Sequence, residues 1–296
     1  MKHRTLFTRM LAAALVAATL LTTASLHAAL IDNLDGYWHL DETSGNFADA
    51  SDNGNALTPS GSPHGDGANG LINGTMVSKN GGTGGDWGER SNFGNYSKSD
   101  AFSAQVWVNL DSNPDGFQYY LGRGAGPDDA GNGWRISNNG ATDDDGDVKD
   151  ASIARILFTT DDGAWSQNSS DGTLAAGNGW TQLLFTYDGS GSLGGVNLYI
   201  NGALDNNATV APGDENPIHG DITGTADFGV GNRPDSPTNP VDGLLDEAAV
   251  WNRELTASEV ESLWNEGNGV LIPEPTTLAL LVLGMTALLA RRRIRR

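Results

Sequence analysis

The chain has 296 residues, with 17 Lys and Arg against 37 Asp and Glu, five His and no Cys, for a formal net charge of −20. So acidic a chain repels nucleic acid and anionic membrane surfaces, which argues against both as partners of its body, and the lack of Cys excludes thiol catalysis, zinc-thiolate sites and disulfides. Forty Gly and few helix-length apolar patterns point to many short strands and turns.

The first elements in the chain are targeting elements. Met1–Arg9 carries Lys2, Arg4 and Arg9, Met10–Leu21 is apolar, and Leu26-His27-Ala28 precedes Ala29. Residues 1–28 therefore have the layout of a secretory signal peptide. At the other end, 270–296, Ile272-Pro273-Glu274-Pro275 precedes the apolar run Leu278–Ala290, and Arg291-Arg292-Arg293-Ile294-Arg295-Arg296 closes the chain. With Thr276 and Thr277 that run reaches about 22 Å at about 1.5 Å per residue, short of a ~30 Å hydrocarbon core. Its arginines should stay cytoplasmic, with the main body outside. Removing eight terminal basic residues and Glu274 leaves nine basic and 36 acidic side chains, a net of −27.

The body, 29–269, is long enough for one full sandwich domain. Gly36–Asp41 alternates as a strand, and Gly45–Thr58 and Asn80–Tyr96 read as polar, Gly-rich loops. Ala101–Leu110 is a clear strand with Phe102, Ala104, Val106 and Val108 on one face. Tyr119–Arg123 and Trp134–Ser137 are shorter candidates, Thr142–Asp150 is a charged loop, and Ala154–Thr160, Trp180–Tyr187 and Val196–Ile200 are strands. Asn201-Gly202 signals a tight hairpin turn. Ala226–Val230 and Leu244–Trp251 complete the set. Thr256 with Glu259 forms a capping box for one helix, which carries Val260, Leu263 and Trp264 on one face and ends at Gly267. No internal repeat occurs, and this order predicts sheet on sheet, an all-β fold. The core is expected from Val106, Val108, Leu183, Phe185, Leu198, Ile200 and Val250.

Two resemblances follow from these residues. The tail, with Ile272 where Val is usual, resembles the PEP-CTERM sorting signal of Gram-negative bacteria. It implies an exosortase-type processing enzyme as partner, transient membrane insertion of the tail, and association with exopolysaccharide at the cell surface. The run of GYWHLDETSG, FADASDNGNALT, FSAQVWV, GNGWTQLLFTYDGSG, VNLYINGAL and GLLDEAAVWNRELTASEVESLWNEG resembles the LamG-like jellyroll of the concanavalin A-like group, over roughly 35–268. That resemblance implies a two-sheet antiparallel jellyroll sandwich with a short C-terminal helix. Gln182 and Ala249 depart from the His and Arg common at those places, a Phe-Asp-Gly strand is missing, and Asp143–Asp150 looks inserted.

Several residues could carry chemistry. In a strand Asp246 and Glu247 point to opposite faces, and a half-buried carboxylate needs a partner. The family resemblance implies a structural Ca2+ held by Asp246 with Asp49 and Asn55. The other reading of Asp246 is a turn cap or an acceptor of backbone N–H groups. Asp143–Asp147 fails as an EF-hand, because position one would be Ala141 and position twelve Ser152. The Glu-x-Asp-x-x-Glu spacing of laminarinase-type hydrolases is absent, and His39, His64 and His219 are scattered, so no catalysis is expected. Trp134 and Trp165, flanked by Gly, Asn and Ser, are the candidate sugar platforms; covering the core edge is the equal alternative. The expectation is an exported, surface-associated binding module for carbohydrate or another surface polymer, against a structural matrix protein or a degenerate glycoside hydrolase.

Overall fold

The computed structural model describes residues 29–65, 67, 69–78, 86–114, 116–124, 131–138, 151–161, 165–205, 218, 220–235 and 237–272, with backbone alone at 165–168 and 171–173. The signal segment, Pro273-Glu274-Pro275 with the apolar tail, and Asp143–Asp147 lie outside these residues. Contacts divide the chain into 34–271 and a second unit of 1–33 with 272–296. In that second unit, the backbone N–H of Asp32 closes a turn on the Ala29 carbonyl at 3.2 Å. Among the described residues no helix is long and apolar enough to cross a membrane.

Among the described residues of 34–271 there are fourteen strands and a short α-helix. In chain order these are β1 (Leu34–Trp38), β2 (Thr58–Ser60), β3 (Met76–Ser78), β4 (Trp87–Arg90), β5 (Phe102–Leu110), β6 (Tyr119–Arg123), β7 (Gly133–Asn138) and β8 (Ile153–Thr159). There follow β9 (Trp165–Thr173), β10 (Thr181–Tyr187), β11 (Val196–Ile200), β12 (Ala203–Leu204), β13 (Phe228–Val230), β14 (Gly243–Trp251) and α1 (Ala257–Trp264). Two antiparallel sheets result. One runs β1-β14-β5-β10-β11-β12 with β3 also on β14, and the other runs β2-β4-β13-β6-β7-β8-β9. Consecutive strands β6-β7-β8-β9 and β10-β11-β12 pair as hairpins, while pairs such as β1-β14, β14-β5 and β4-β13 join strands distant in sequence, as in a jellyroll.

Period-two alternation decides which face meets the other sheet. Val106, Val108, Leu183, Phe185 and Leu198 of the first sheet meet Leu121, Ile136, Ile156, Phe158 and Val230 of the second in one core. Ile200, expected inside, packs on its margin. The outer face of the first sheet is covered by α1, whose Trp264 stacks on Trp107 with ring centroids 5.2 Å apart and planes 13° apart. The helix begins as expected: Thr256 and Glu259 form the reciprocal capping box, and Arg253 holds Glu259 at 2.8 Å.

The loop assignments differ at several points. Residues 45–58 and 80–96 contribute β4 and the start of β2. The first strand stops at Trp38, since Leu40 takes a left-handed φ of 62°. Polar β9, WSQNSSDGT, edges the second sheet.

Candidate functional site

The most densely acidic buried spot lies in the middle of β14. The register between β14 and β5 slips between Asp246 and Ala249, so Glu247 is an extra residue, held at a left-handed φ of 47°. This corrects the expectation that Asp246 and Glu247 face opposite sides. Asp246 pairs with Trp107 and Ala249 with Gln105, so both stay on the outer face. The bulge brings Glu247 to that same side, where its carboxylate accepts from the Tyr37 hydroxyl. Bulges commonly re-aim a side chain in this way.

The neighbours follow from the bulge. Glu247 Oε1 lies 3.2 Å from His39 Nδ1, and its backbone carbonyl accepts from Gln105 Nε2, also at 3.2 Å. Gln182, standing where the family often has His, donates to Gln105 Oε1 at 3.1 Å. Asp246 Oδ2 accepts from the N–H groups of Leu71 and Ile72 at 2.7 and 3.2 Å, and Oδ1 accepts from the Glu247 N–H at 2.9 Å. Asp41 ties down the same loop by accepting from the Gly74 N–H at 2.7 Å.

Burial dominates the electrostatics. Asp246 is pushed up to about 9, first by loss of water and then by the adjacent Glu247 carboxylate, while the Leu71 and Ile72 N–H groups pull it down. Glu247 is raised by burial against the opposing bonds from His39 and Tyr37. For His39, burial acts downward, but the Glu247 bond and the charges of Glu247, Asp41 and Glu42 outweigh it and raise the imidazole. The cluster can therefore store protons and tie β1, β14 and the 70–74 loop together. A quarter of the His39 side chain reaches solvent, while Glu247 is sealed.

Of the three residues expected to share a calcium ion, Asp49 and Asn55 are bonded to each other and Asp246 is bonded to the 71–72 backbone. Asp49 and Asn55 do come together, with the Asn55 N–H donating to Asp49 Oδ2 at 2.8 Å. Asp49 Oδ1, however, takes the N–H of Tyr37, the N–H of Ser51 and the Ser51 hydroxyl at 3.1, 2.9 and 2.6 Å. The Asn55 amide donates to the Asp35 carbonyl at 2.9 Å. Asp246 is bonded instead to the 71–72 backbone. The carboxylate oxygens of both acids thus face hydrogen-bond donors, whereas a calcium ligand must turn its lone pairs to the ion. Among the described residues no group of three His, Cys, Asp or Glu could hold a metal. Of the two readings of Asp246, the acceptor of backbone N–H groups is the one present.

The aromatic expectation is corrected for Trp134. It is 1% exposed, its indole donates to the Gly94 carbonyl at 2.8 Å, and its ring lies 5.2 Å from Phe102 and 5.5 Å from Phe185. Alternation along β7 sends Trp134 and Ile136 inward. Trp165 opens β9, paired with Thr159 on the sheet edge, and its side chain lies outside the described ones. Sequence reasoning also missed the half-buried ring of Phe117, over which the guanidinium carbons of Arg135 and Arg155 lie at 4.9 and 5.4 Å. A lone Phe between Gly and Gln gave no signal.

A model of the concanavalin A-like lectin/glucanases superfamily matches residues 81–261, and a PEP-CTERM protein-sorting motif matches 271–296. Among solved structures, domain 4 of AbnA, a GH43 extracellular arabinanase from Geobacillus stearothermophilus solved with arabinotriose, is 21% identical with a TM-score of 0.51, over 78% of this chain and 97% of that one. Trypanosoma rangeli sialidase with sialic acid gives 18% identity and 0.51, over 81% of this chain and 34% of the other. The botulinum neurotoxin serotype D ligand binding domain with N-acetylneuraminic acid gives 12% and 0.53, over 81% and 52%. At these identities the likeness is one of fold. No curated protein matches the chain.

Proposed function

Because the chain belongs to the concanavalin A-like lectin/glucanases superfamily, we propose that it is an exported, non-catalytic module that binds carbohydrate or another surface polymer. The observation that carries this reading is the family match laid on a two-sheet sandwich. Structural relatives solved with arabinotriose, sialic acid and N-acetylneuraminic acid support it. The sorting motif at 271–296 supports surface delivery. On this reading residues 1–28 direct export, 29–269 are the binding domain, and 270–296 enter the membrane transiently. An exosortase-type enzyme then processes the tail at Pro273-Glu274-Pro275, leaving the domain at the surface or in the matrix.

A rigid sandwich leaves recognition to its edges and loops. Among the described residues no large aromatic side chain is fully exposed; the exposed large apolar residues are Leu204 and Leu271. Trp165, at the start of the polar edge strand β9, is the residue we assign to ligand contact. A glycan array on the full-length chain tests the reading. Saturable binding that Trp165→Ala weakens at unchanged melting temperature supports it. A folded chain that binds no glycan is the outcome of the matrix-protein alternative, and release of reducing sugar is that of the glycoside hydrolase.

A further inference from the structure

Nine Asn-Gly pairs occur in the chain, and seven of them lie among the described residues. Glycine has no Cβ, so its backbone nitrogen can approach the side-chain amide of the Asn before it. That nitrogen can then attack the Asn Cγ and close a small ring. The reaction needs both groups unengaged, because a hydrogen bond to the Asn amide or from the Gly N–H has to break first. The fold therefore ranks the seven pairs, although the dipeptide is the same in each.

Six of the seven are held. The Asn53 amide donates to the Leu34 and Asp35 carbonyls at 2.8 and 3.2 Å and to Ser51 Oγ at 3.1 Å. After Asn69, the Gly70 N–H donates to the Asn73 carbonyl at 3.2 Å. After Asn73, the Gly74 N–H donates to Asp41 Oδ1 at 2.7 Å. The Asn132 amide donates to the Thr223 carbonyl at 3.0 Å. Asn201 Oδ1 accepts from the Gln182 N–H at 2.9 Å. The Asn268 amide donates to the Asn265 carbonyl at 2.9 Å, and the Gly269 N–H to the Trp264 carbonyl at 3.3 Å. The seventh pair, Asn178-Gly179, lies exposed in the turn between β9 and β10, where the chain passes from the second sheet to the first. Only the backbone N–H of Asn178 is engaged, with the Ala175 carbonyl at 3.4 Å, and among the described residues its side chain has no hydrogen bond. A Cβ placed on Gly179 would meet nothing within 4 Å, so packing does not restrain the pair either. The turn itself is anchored just before it, where the Ala176 N–H donates to Asn113 Oδ1 at 2.9 Å.

We propose that Asn178 is a site of spontaneous covalent modification in the folded protein. The Gly179 nitrogen bonds to Asn178 Cγ and loses its proton, while the Cγ–Nδ2 bond breaks and the amide nitrogen leaves as ammonia. Water then opens the cyclic imide at one of its two carbonyls, giving aspartate or isoaspartate. Nothing is oxidised or reduced, and water is the sole co-reactant. Each event adds a negative charge to a body already at −27, and the isoaspartate product lengthens the backbone within the turn that joins the two sheets. The site is independent of the carbohydrate reading and of the acidic cluster at β14.

Peptide mapping by mass spectrometry of the full-length chain, aged in mildly alkaline buffer with and without concentrated urea, tests it. In the folded chain Asn178 should convert ahead of the other six described pairs by about fivefold, the rate that one hydrogen bond of ordinary net strength withholds. In urea the seven should converge, because the bonds that protect six of them are gone. Asn178→Gln, whose longer side chain would have to close a larger ring, should remove the early release of ammonia at unchanged melting temperature. Conversion of any of the six before Asn178, an Asn178 still intact in the folded chain when the urea sample has converted, or the same ranking in urea as in buffer would overturn the proposal.

Discussion

Replacing Trp134 by Ala separates a core role from a ligand role. The side chain is 1% exposed and packs among Phe102, Phe185 and Phe228. Truncating a buried Trp costs ~3–5 kcal/mol. The Gly94 carbonyl also loses its 2.8 Å indole donor, which adds ~1 kcal/mol for a buried acceptor. For a domain of this size each kcal/mol moves the melting temperature by about 2–4 °C, so the expected fall is roughly 8–24 °C. Trp134→Phe keeps a ring in the cluster and should fall clearly less. Circular dichroism melts of the two variants beside wild type, read together with polysaccharide binding, make the measurement. If Trp134→Ala melted within ~2 °C of wild type and yet lost binding, the burial argument would be refuted and the residue would be a sugar platform after all.

Other expectations follow from the same geometry. Asp246 is raised to about 9, and Glu247 and His39 are raised from 4.5 and 6.5. Across this range the folded state keeps protons that the unfolded chain releases, so stability falls as pH rises. For His39 the contribution is complete below 6.5 and is lost through its higher folded value. Melting temperature should therefore decline from about pH 5 to pH 9, Glu247→Gln should flatten the decline, and a steady rise in wild type would contradict the assignment. Because the oxygens of Asp49 and Asp246 face backbone and hydroxyl donors, melts in chelator and in millimolar calcium should coincide. A shift of several degrees that Asp246→Asn abolished would restore the calcium shell. Thr256→Ala removes the capping box of α1 and should cost ~1 kcal/mol, about 2–4 °C in melting temperature. An unchanged melt would mean that packing of Trp264 on Trp107 alone holds the helix.

How far the sequence was legible depended on length and alternation. β5 and β10 are long, and the expected inward residues of β5, β10 and β11 form the core, apart from Ile200 on its margin. The capping box named its helix because its chemistry is local. β2, β3 and β4 span three or four residues among Gly and polar side chains, too short for a period to show. Trp134 opens a strand candidate in the sequence, yet the Gly and Asn before it suggested a sugar platform; Gly133 is itself the first residue of β7, and alternation from there turns the indole inward. The bulge at Glu247 was illegible because one extra residue changes register without changing composition.

The claim that matters most is that this sandwich holds a saccharide polymer. Affinity electrophoresis of the full-length chain through gels cast with the host's own exopolysaccharide, against gels without it, addresses that claim directly. Mobility should fall with polymer concentration, show saturation and be recovered in part by Trp165→Ala. Mobility that is the same in both gels, for a chain shown to be folded by its melting transition, would contradict it.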